Sequence, residues 1–177
     1  KAPHLLLEAW AQLPEAVRGA ASLRVLGPDQ HQPAYVEELR RAAEPLGVAV
    51  GGALGREEVR AEMARTDVLV VPSQWAEIRP LVMLEAFAAG ARVVATDLGG
   101  MAELLAAGLP GALFGEGDVG GLRTCVEAEI QRALRTERGA SLAETAPSPR
   151  FRPWAEVGGA MIEHYERAVR GDQAPIG

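Results

Sequence analysis

Two glutamates, Glu77 and Glu85, lie eight residues apart in the segment PSQWAEIRPLVMLEAFAAG, residues 72–90. The apolar run DVLVVPS leads into this segment and predicts a buried strand, while LVMLEAFAAG has the pattern of a helix. Glu77 then lies on the loop after the strand, and Glu85 lies about one turn into the helix. We expect both carboxylates to face the crevice at the carboxyl ends of the strands, where open α/β sheets bind ligands.

The groups around this helix start suit a particular kind of ligand. A carboxylate can accept protons from two adjacent hydroxyl groups, and the free amides at a helix N-terminus bind phosphate. Pro80 has no N–H, so the predicted phosphate donors are the amides of Leu81, Val82 and Met83. The apolar neighbours of Glu85 predict that its carboxylate faces a lined cleft. A nucleotide sugar, with hydroxyl groups on both sides of its phosphates, fits this arrangement.

Several motifs follow one another in a fixed order along this part of the chain. They are E-x7-E, a helix end of small residues, a strand that ends in T-D, and a G-G-x-x-E element. The residues that form them are Glu77 and Glu85, Ala86 to Gly90, Thr96-Asp97, and Gly99-Gly100 with Glu103. Together they make residues 67–117 resemble the C-terminal, donor-binding half of retaining glycosyltransferases of the GT-B fold, in family four. The resemblance continues more weakly at both ends and covers nearly the whole chain.

The resemblance implies roles for both glutamates and for one lysine. In the family the first glutamate contacts hydroxyls of the transferred sugar and the second accepts from the ribose, which implies these roles for Glu77 and Glu85. The family's K-G element corresponds to Lys1-Ala2, and Lys1 is the only lysine in the sequence. In the family that lysine, together with an arginine a few residues before it, neutralises the leaving diphosphate, and such charge stabilisation is usually a large catalytic term. Glu77 and Lys1 are therefore the candidate catalytic residues.

Other positions have two interpretations that the sequence leaves open. Gly99 and Gly100 permit either a close approach of the backbone to the ligand or a turn with positive φ. Glu103 belongs to the G-G-x-x-E element and is equally suited to cap the next helix. Arg79-Pro80 stands where the family often has Phe-Gly. Its arginine either points to solvent or adds charge near the phosphates or the acceptor.

The resemblance also implies a base site and a reaction. Ala53 and Leu54 lie at a strand end where the family seats the base, through backbone contacts. A sugar would pass from a nucleoside-diphosphate (NDP) sugar to a hydroxyl acceptor with retention, and the leaving phosphate would help to deprotonate the acceptor. No cofactor and no metal is expected, because Lys, Arg and a helix N-terminus neutralise the diphosphate and the sequence has no Asp-x-Asp element. The three histidines lack metal-ligand spacing.

Composition excludes several classes of protein. The 177 residues suffice for one domain, and with 48 % hydrophobic but only 5 % aromatic residues its core must consist mainly of Ala, Leu and Val. The net charge of −6 without a basic block argues against a nucleic-acid partner. The single cysteine, Cys125, excludes an intrachain disulfide and suits a small buried hydrophobe better than a nucleophile. No apolar run approaches the ~20 residues of a transmembrane segment, so the default localisation is cytoplasmic.

Short apolar runs alternate with amphipathic helical patterns, which predicts an α/β fold with a Rossmann-like parallel sheet and helices on both faces. The predicted strands cover residues 23–26, 48–53, 67–71, 92–96 and 112–114. The predicted helices cover residues 4–13, 33–45, 56–65, 81–89, 101–107, 119–134 and 154–169. We expect residues 1–135 to form the donor-binding domain, 136–152 a linker, and 153–170 a C-terminal helix of the same domain.

The first strand of this fold is missing from the pattern. The strand order 3-2-1-4-5-6 requires a strand before the first helix, yet the first helical pattern opens at residue 3. The missing strand is central, and a gap there would leave backbone groups unpaired. We expect upstream residues, another segment or another subunit to supply it. The family's N-terminal, acceptor-binding domain is also missing, so the fragment alone should be inactive and any peripheral membrane contact would fall to that half.

Two alternatives to a donor-binding domain of a glycosyltransferase stay open. The GT-B fold also hosts sugar-nucleotide epimerases, although E-x7-E combined with T-D-x-G-G favours transfer. A catalytically silent nucleotide-binding or interaction module is compatible with the short chain, the missing strand and Arg79-Pro80. An NAD-dependent dehydrogenase is disfavoured because no G-x-G-x-x-G follows a strand, and Ser73 lacks the context of a nucleophile elbow.

Overall fold

Five short parallel strands form two sheets in the part of the chain that the structure describes. The computed structural model describes residues 1–28, 32–135 and 154–170. The strands are β1 Arg24–Val25, β2 Ala49–Val50, β3 Val68–Val71, β4 Arg92–Thr96 and β5 Gly111–Phe114. β1 pairs with β2, and β3, β4 and β5 form the second sheet in that order. Because every pairing is parallel, the carboxyl ends within each sheet lie at the same edge.

Helices connect the strands, as the alternating pattern predicts. They are α1 Pro3–Ala11, α2 Glu15–Gly19, α3 Pro33–Ala43, α4 Arg56–Met63, α5 Leu81–Ala88, α6 Gly99–Ala106 and α7 Val119–Arg135, with a 3-10 turn at Glu44–Leu46. The sequence pattern does not predict α2, because five residues are too few to show helical periodicity. It also places the start of α6 two residues late, since the low helix propensity of glycine hides the first turn.

Side chains of β4 alternate between two hydrophobic clusters, one on each face of the sheet. Val94 packs in the cluster that contains residues of α1 and α7. Val93 and Ala95 pack in the other cluster, with Met83 of α5 and Met101 of α6. Successive residues of a strand point to opposite faces, so helices cover both faces of this sheet. The predicted α/β fold with parallel strands and flanking helices is confirmed.

Strand β3 is less buried than its apolar sequence predicts. Val71 is buried, but Val68, Leu69 and Val70 are only half-buried. β3 is an outer strand of the three-stranded sheet, and in residues 1–28 and 32–135 no strand lies beside it on the side away from β4. Val25 of β1 and Val70 of β3 nevertheless pack against the same cluster. The two sheets thus share one core. Among the described residues the edge of β1 and the edge of β3 are both open, and the predicted strand order places its first strand between them.

A buried ion pair joins β4 to α7. The Arg92 side chain donates through Nε and Nη2 to the two carboxylate oxygens of Glu129, with Nη2 3.2 Å from Oε1. The Glu129 side chain is only 4 % exposed, and Arg132 lies 3.6 Å from its Oε2 atom. A carboxylate this deep in a protein requires such partners, because an unpaired buried charge is very costly.

Ala2, just before α1, has an unusual backbone conformation. Its φ angle is +46°, and the other described residues with positive φ are all glycines. The left-handed conformation costs a residue with a Cβ atom about 1–2 kcal/mol. This is the position at which the family that the sequence resembles has glycine. The replacement by alanine therefore carries a local backbone cost, offset in part because the Ala2 methyl group is buried.

The chain divides into two units, Lys1–Ala146 and Pro147–Gly177. In the second unit the structure describes one helix, α8 Trp154–Arg170. Its exposed apolar side chains include Met161, Ile162, Tyr165 and Val169. The predicted linker lies outside the described residues, and the assignment of residues 153–170 to the donor-binding domain stays a prediction. Among the described residues no helix has both the length and the apolar character needed to cross a membrane.

Candidate functional site

The loop between β3 and α5, residues 72–80, lies beside the start of α6. We call it the Glu77 loop. β3 and β4 are parallel neighbours, so the Glu77 loop and the segment after Thr96 leave the sheet at the same edge. The Gly100 amide donates to the Glu77 carbonyl at 2.7 Å, which ties α6 to the loop. The structure therefore brings together the two segments that contain most of the site residues predicted from the sequence.

Glu77 is held by two donors that share one of its carboxylate oxygens. The Ser73 hydroxyl donates to Oε1 at 2.6 Å, and the Lys1 ammonium donates to the same oxygen. Ser73 is fully buried, and the Glu77 side chain is 16 % exposed. Both described donors bond to Oε1, so the lone pairs of Oε2 are left to accept hydroxyl protons from a ligand.

The surroundings of Glu77 keep its carboxylate ionised. Partial burial opposes the charged form, but the hydrogen bonds from Lys1 and Ser73 and the positive charge of Lys1 outweigh it. The net effect holds the pKa of Glu77 below its ordinary value. At neutral pH the group is thus an acceptor of hydrogen bonds rather than a general acid.

Lys1 and Glu77, the two candidate catalytic residues, are in direct contact although they lie 76 positions apart in the chain. The Lys1 side chain is 57 % exposed. Its ammonium also lies 5.4 Å from the centroid of the Trp75 ring. The start of α1 therefore lies at the same edge of the sheet as the Glu77 loop. Their catalytic roles stay a prediction.

The first turn of α5 offers fewer free amides than the sequence predicts. The Met83 amide donates to the Pro80 carbonyl at 3.0 Å, and the Met83 side chain is buried in the core. The amides of Leu81 and Val82, the first two residues of α5, have no carbonyl one turn earlier in the helix to accept from them. Two of the three predicted phosphate donors are thus open to a ligand, and the third is used within the protein.

Glu85 is exposed in the middle of α5. Its neighbours Met83 and Ala86 are buried, but they pack in the core cluster beneath the helix. Met83 and Ala86 therefore face the sheet, and the predicted cleft around the Glu85 carboxylate stays a prediction. Its lone pairs are free within the described part of the chain, where the carboxylate accepts no hydrogen bond. The predicted ribose contact needs such free acceptors and stays a prediction.

Gly99 and Gly100 lie directly against the Glu77 loop. Gly99 has a φ angle of +48°, which favours glycine. A Cβ atom on Gly100 would lie 2.7 Å from the Glu77 carbonyl oxygen and still closer to that of Ile78. The turn conformation and the close approach are thus both present, and the close approach is to the protein's own backbone. The predicted contact of these glycines with a donor stays a prediction.

Three other candidates from the sequence lie as follows. Ala53 is exposed and Leu54 half-buried on the loop after β2, and no hydrogen bond among the described residues joins them to the Glu77 loop. Arg79 is exposed, and its role stays open. Glu103 lies inside α6, well past the N-cap residue Leu98. The interpretation of Glu103 as a helix cap is therefore wrong, because α6 begins earlier than the pattern predicts.

Ser73 and Trp75 contact the candidate catalytic residues, although no sequence motif predicts a role for either. Ser73 directly follows the apolar run and lies four residues before Glu77, a spacing that places its hydroxyl within reach of the carboxylate once the loop turns back. Trp75 contacts Lys1 at the start of the chain. A contact between residues so far apart in sequence cannot be predicted from a local pattern. In the described residues no group of three or more His, Cys, Asp or Glu side chains could hold a metal ion.

Cys125 lies on α7, and its thiol donates to the Leu113 carbonyl at 3.4 Å. Burial raises its pKa, and the negative charges of Glu129 and Asp118 raise it further. The protonated thiol is a poor nucleophile. This environment supports the interpretation of Cys125 as a packing residue.

Parallel strands, with helices on both faces of the three-stranded sheet, define an α/β domain with a loop carboxylate at the carboxyl edge of that sheet. Residues 1–131 match the family model described as glycosyl transferases group 1. The match covers well over half of the chain, and the chain belongs to this family.

Two curated relatives are considerably longer than this chain. It is 29 % identical over 170 residues to the glycogen synthase of Mycobacterium tuberculosis, covering 95 % of this chain and 41 % of that protein. It is 31 % identical over 173 residues to the D-inositol 3-phosphate glycosyltransferase of Mycolicibacterium smegmatis, covering 96 % of this chain and 38 % of that protein. The chain thus spans about two fifths of the relatives' length.

The fold also matches solved structures. The crystal structure of Anabaena Alr3699/HepE in complex with UDP superposes with a TM-score of 0.71 and 26 % identity, over 94 % of this chain and 45 % of that one. The same protein in complex with UDP and glucose gives a TM-score of 0.70 and 25 % identity, over the same shares of the two chains.

Proposed function

We propose that this chain is the nucleotide-sugar-binding domain of a retaining glycosyltransferase, which transfers a sugar from an NDP-sugar to a hydroxyl acceptor. The observation that carries the proposal is the contact between Lys1 and Glu77 at the carboxyl edge of the sheet. One side chain neutralises phosphate and the other accepts from hydroxyl groups, and the free amides of α5 follow on the same loop. The complexes of the similar Anabaena protein with UDP, and with UDP and glucose, support a donor of this kind.

In this proposal each part of the site binds one part of the donor. The amides of Leu81 and Val82 and the ammonium of Lys1 bind the diphosphate, since a helix N-terminus and a cation both favour an anion. Glu77 accepts from hydroxyl groups of the transferred sugar through Oε2, the oxygen that Ser73 and Lys1 leave free. Glu85 accepts from the ribose. The backbone around Ala53 and Leu54, and that of Gly99 and Gly100, completes the donor contacts.

The chemistry then needs orientation and charge stabilisation from this half. A leaving diphosphate gains negative charge in the transition state, and a positioned ammonium stabilises that charge. The phosphate oxygen that leaves takes the proton of the acceptor hydroxyl on the same face, which accounts for retention without a nucleophile from the protein. The acceptor and any membrane contact would fall to a separate acceptor-binding domain. The transfer would be cytoplasmic and need no metal, and this domain alone would not turn over.

Calorimetric titration of the 177-residue chain with UDP, GDP and ADP tests the donor site. We expect saturable binding of one nucleotide, and about 10- to 100-fold weaker binding in Glu85→Ala because hydrogen bonds to a charged acceptor are lost. Glu8→Ala, which changes an exposed glutamate of α1, is the matched control and should bind like the wild type. A folded sample that binds none of the three nucleotides would contradict the proposed donor site.

A second titration separates the two glutamates. Glu77→Ala should bind the bare nucleoside diphosphate nearly as the wild type does, yet lose the additional affinity for the sugar conjugate, such as UDP-glucose when UDP binds. Equal losses for both ligands in both variants would show that the assigned division between sugar and ribose is wrong. A full-length protein that converts the donor sugar to its epimer without an acceptor would identify an epimerase instead. One that binds the donor without any turnover would identify a silent module.

A further inference from the structure

Trp75 lies two residues before Glu77 on the same loop and contacts Lys1, the ion-pair partner of Glu77. The Trp75 side chain is 53 % exposed, and the Lys1 ammonium lies 5.4 Å from the ring centroid. This is within the ~6 Å over which the face of an aromatic ring attracts a cation. The same ammonium donates to Glu77. One cation therefore has two partners of different kinds, a carboxylate and an indole ring.

The ion pair alone does not fix Lys1. A lysine side chain has a flexible four-carbon stem, and exposed ion pairs contribute little because water screens them and the side chains lose rotamer freedom. The indole supplies what the pair lacks. Its electron-rich face attracts the ammonium, which lies 5.4 Å from the ring centroid.

The loop that carries Trp75 is fixed independently of the ring. The Ser73 hydroxyl bonds to the Glu77 side chain at 2.6 Å, and the Gly100 amide bonds to the Glu77 carbonyl at 2.7 Å. Both bonds anchor the loop at Glu77, two residues after Trp75. The half-exposed tryptophan is therefore carried on a loop whose hydrogen bonds do not involve its ring.

We propose that Trp75 is a positioning residue that holds the Lys1 ammonium beside Glu77, ready for the diphosphate of the donor, a role that rests on the proposed function. The contact with the ring does not use the Glu77 carboxylate. It therefore persists when sugar hydroxyls bind to that carboxylate, which is the moment at which the leaving group needs the cation.

The contact itself can be measured without a ligand. Lys1 is the only lysine in the sequence, so a sample labelled with ¹³C-lysine gives a single ε-CH₂ signal in its NMR spectrum. We expect the ε protons to be shifted upfield by the ring current of Trp75. The shift should disappear in Trp75→Leu, persist in reduced form in Trp75→Phe, and be unchanged in Ile78→Ala, which alters a side chain on the same loop that is 97 % exposed. An unshifted signal in the wild type, or the same shift in Trp75→Leu, overturns the proposal.

The role is tested by comparing ligands with and without a diphosphate. Trp75→Leu should bind UDP about two- to fivefold more weakly, the range that an exposed cation–π contact gives, and should bind uridine as the wild type does. Trp75→Phe should restore part of the affinity for UDP. If the chain binds GDP or ADP and not UDP, that diphosphate and its nucleoside replace UDP and uridine in this comparison. Equal weakening of both ligands would show a merely structural role and overturn the proposal. If the wild type binds no nucleotide, the proposed donor site is refuted instead. The NMR signal of the Lys1 ε-CH₂ group then tests the contact with Trp75 by itself.

Discussion

At the scale of single residues, the candidate site is built from contacts between side chains that are far apart in sequence. Glu77 receives hydrogen bonds from Ser73, on its own loop, and from Lys1, at the start of α1. The first contact lies within one loop and follows from a spacing of four residues. The second depends on how α1 packs on the sheet. The resemblance to a family predicts roles for Lys1 and Glu77, but neither their contact nor the participation of Trp75 can be obtained from local sequence patterns.

The depressed pKa of Glu77 predicts a pH dependence of stability. A carboxyl group with a lowered pKa in the folded state stabilises the fold above its ordinary pKa of 4.5 and loses this contribution as the pH falls through the folded value. We expect the wild type to melt at a higher temperature than Glu77→Gln near neutral pH, with a difference that shrinks below about pH 4.5. Thermal unfolding of both variants between about pH 7 and pH 3 measures this difference.

Glu8→Gln is the control for this series, because it neutralises an exposed glutamate on α1. It should show little difference from the wild type at any of these pH values. A constant difference between the wild type and Glu77→Gln across the whole range would mean that ionisation of Glu77 does not stabilise the folded state.

At the scale of elements, burial and charge pairing fix helix α7 against the central strand. Arg92 on β4 and Glu129 on α7 form a two-pronged pair, with Nη2 and Oε1 3.2 Å apart and the glutamate side chain 4 % exposed. The apolar periodicity of α7 predicts its existence and nearly its full length. It does not predict this pair, because a charged residue at a helical position is normally a solvent-facing one.

Removing one partner of the Arg92–Glu129 pair should strongly lower the free energy of unfolding. Replacing both partners by apolar residues should change it little. Glu129→Ala leaves the Arg92 guanidinium without its partner in a mostly buried place, so we expect a loss of about 3–5 kcal/mol in the free energy of unfolding. The double variant Arg92→Met/Glu129→Leu should lie close to the wild type, because apolar side chains of similar volume avoid the desolvation cost. Urea denaturation of the single and double variants measures both values.

A pair on the same helix provides the comparison. Arg123 and Glu127 are four residues apart with 3.1 Å between them and are more exposed, so Glu127→Ala should cost less than about 1 kcal/mol. Similar losses for Glu127→Ala and Glu129→Ala would mean that burial does not govern the strength of these pairs.

The elements themselves are largely predictable from the sequence, and the exceptions have physical causes. β4 matches its prediction at both ends, since its run of β-branched residues is flanked by turn signals on both sides. Helix α6 begins earlier than predicted because its first two residues are glycines. Gly100 lies there because any side chain would collide with the Glu77 loop. The deviation from helix propensity thus marks the place where two segments of the site meet.

At the scale of the whole molecule, the open edges of β1 and β3 lead to a prediction about amide exchange. The Arg92 amide donates to the Asp67 carbonyl, and parallel pairing with Val68 opposite Arg92 makes alternate residues of β3 donate to β4. The amides of Leu69 and Val71 are then bonded to β4, while those of Val68 and Val70 point to the open edge. In hydrogen exchange measured by NMR, Val68 and Val70 should exchange much faster than Leu69 and Val71, since an amide without a partner is protected only by burial.

The four amides lie on one strand and share its local environment, so each pair serves as the control for the other. Equal protection of all four would mean that another segment or a second copy of the chain occupies the edge beside β3. In a longer protein that contains this domain, a strand supplied to that edge would bond to Val68 and Val70 and slow their exchange to the rate of their neighbours, because a central position in a parallel sheet leaves no backbone group unpaired. The exchange rates of these two valines therefore report whether the two sheets are joined into one continuous sheet. Such a sheet would hold both the Glu77 loop and the start of α1 at the donor site.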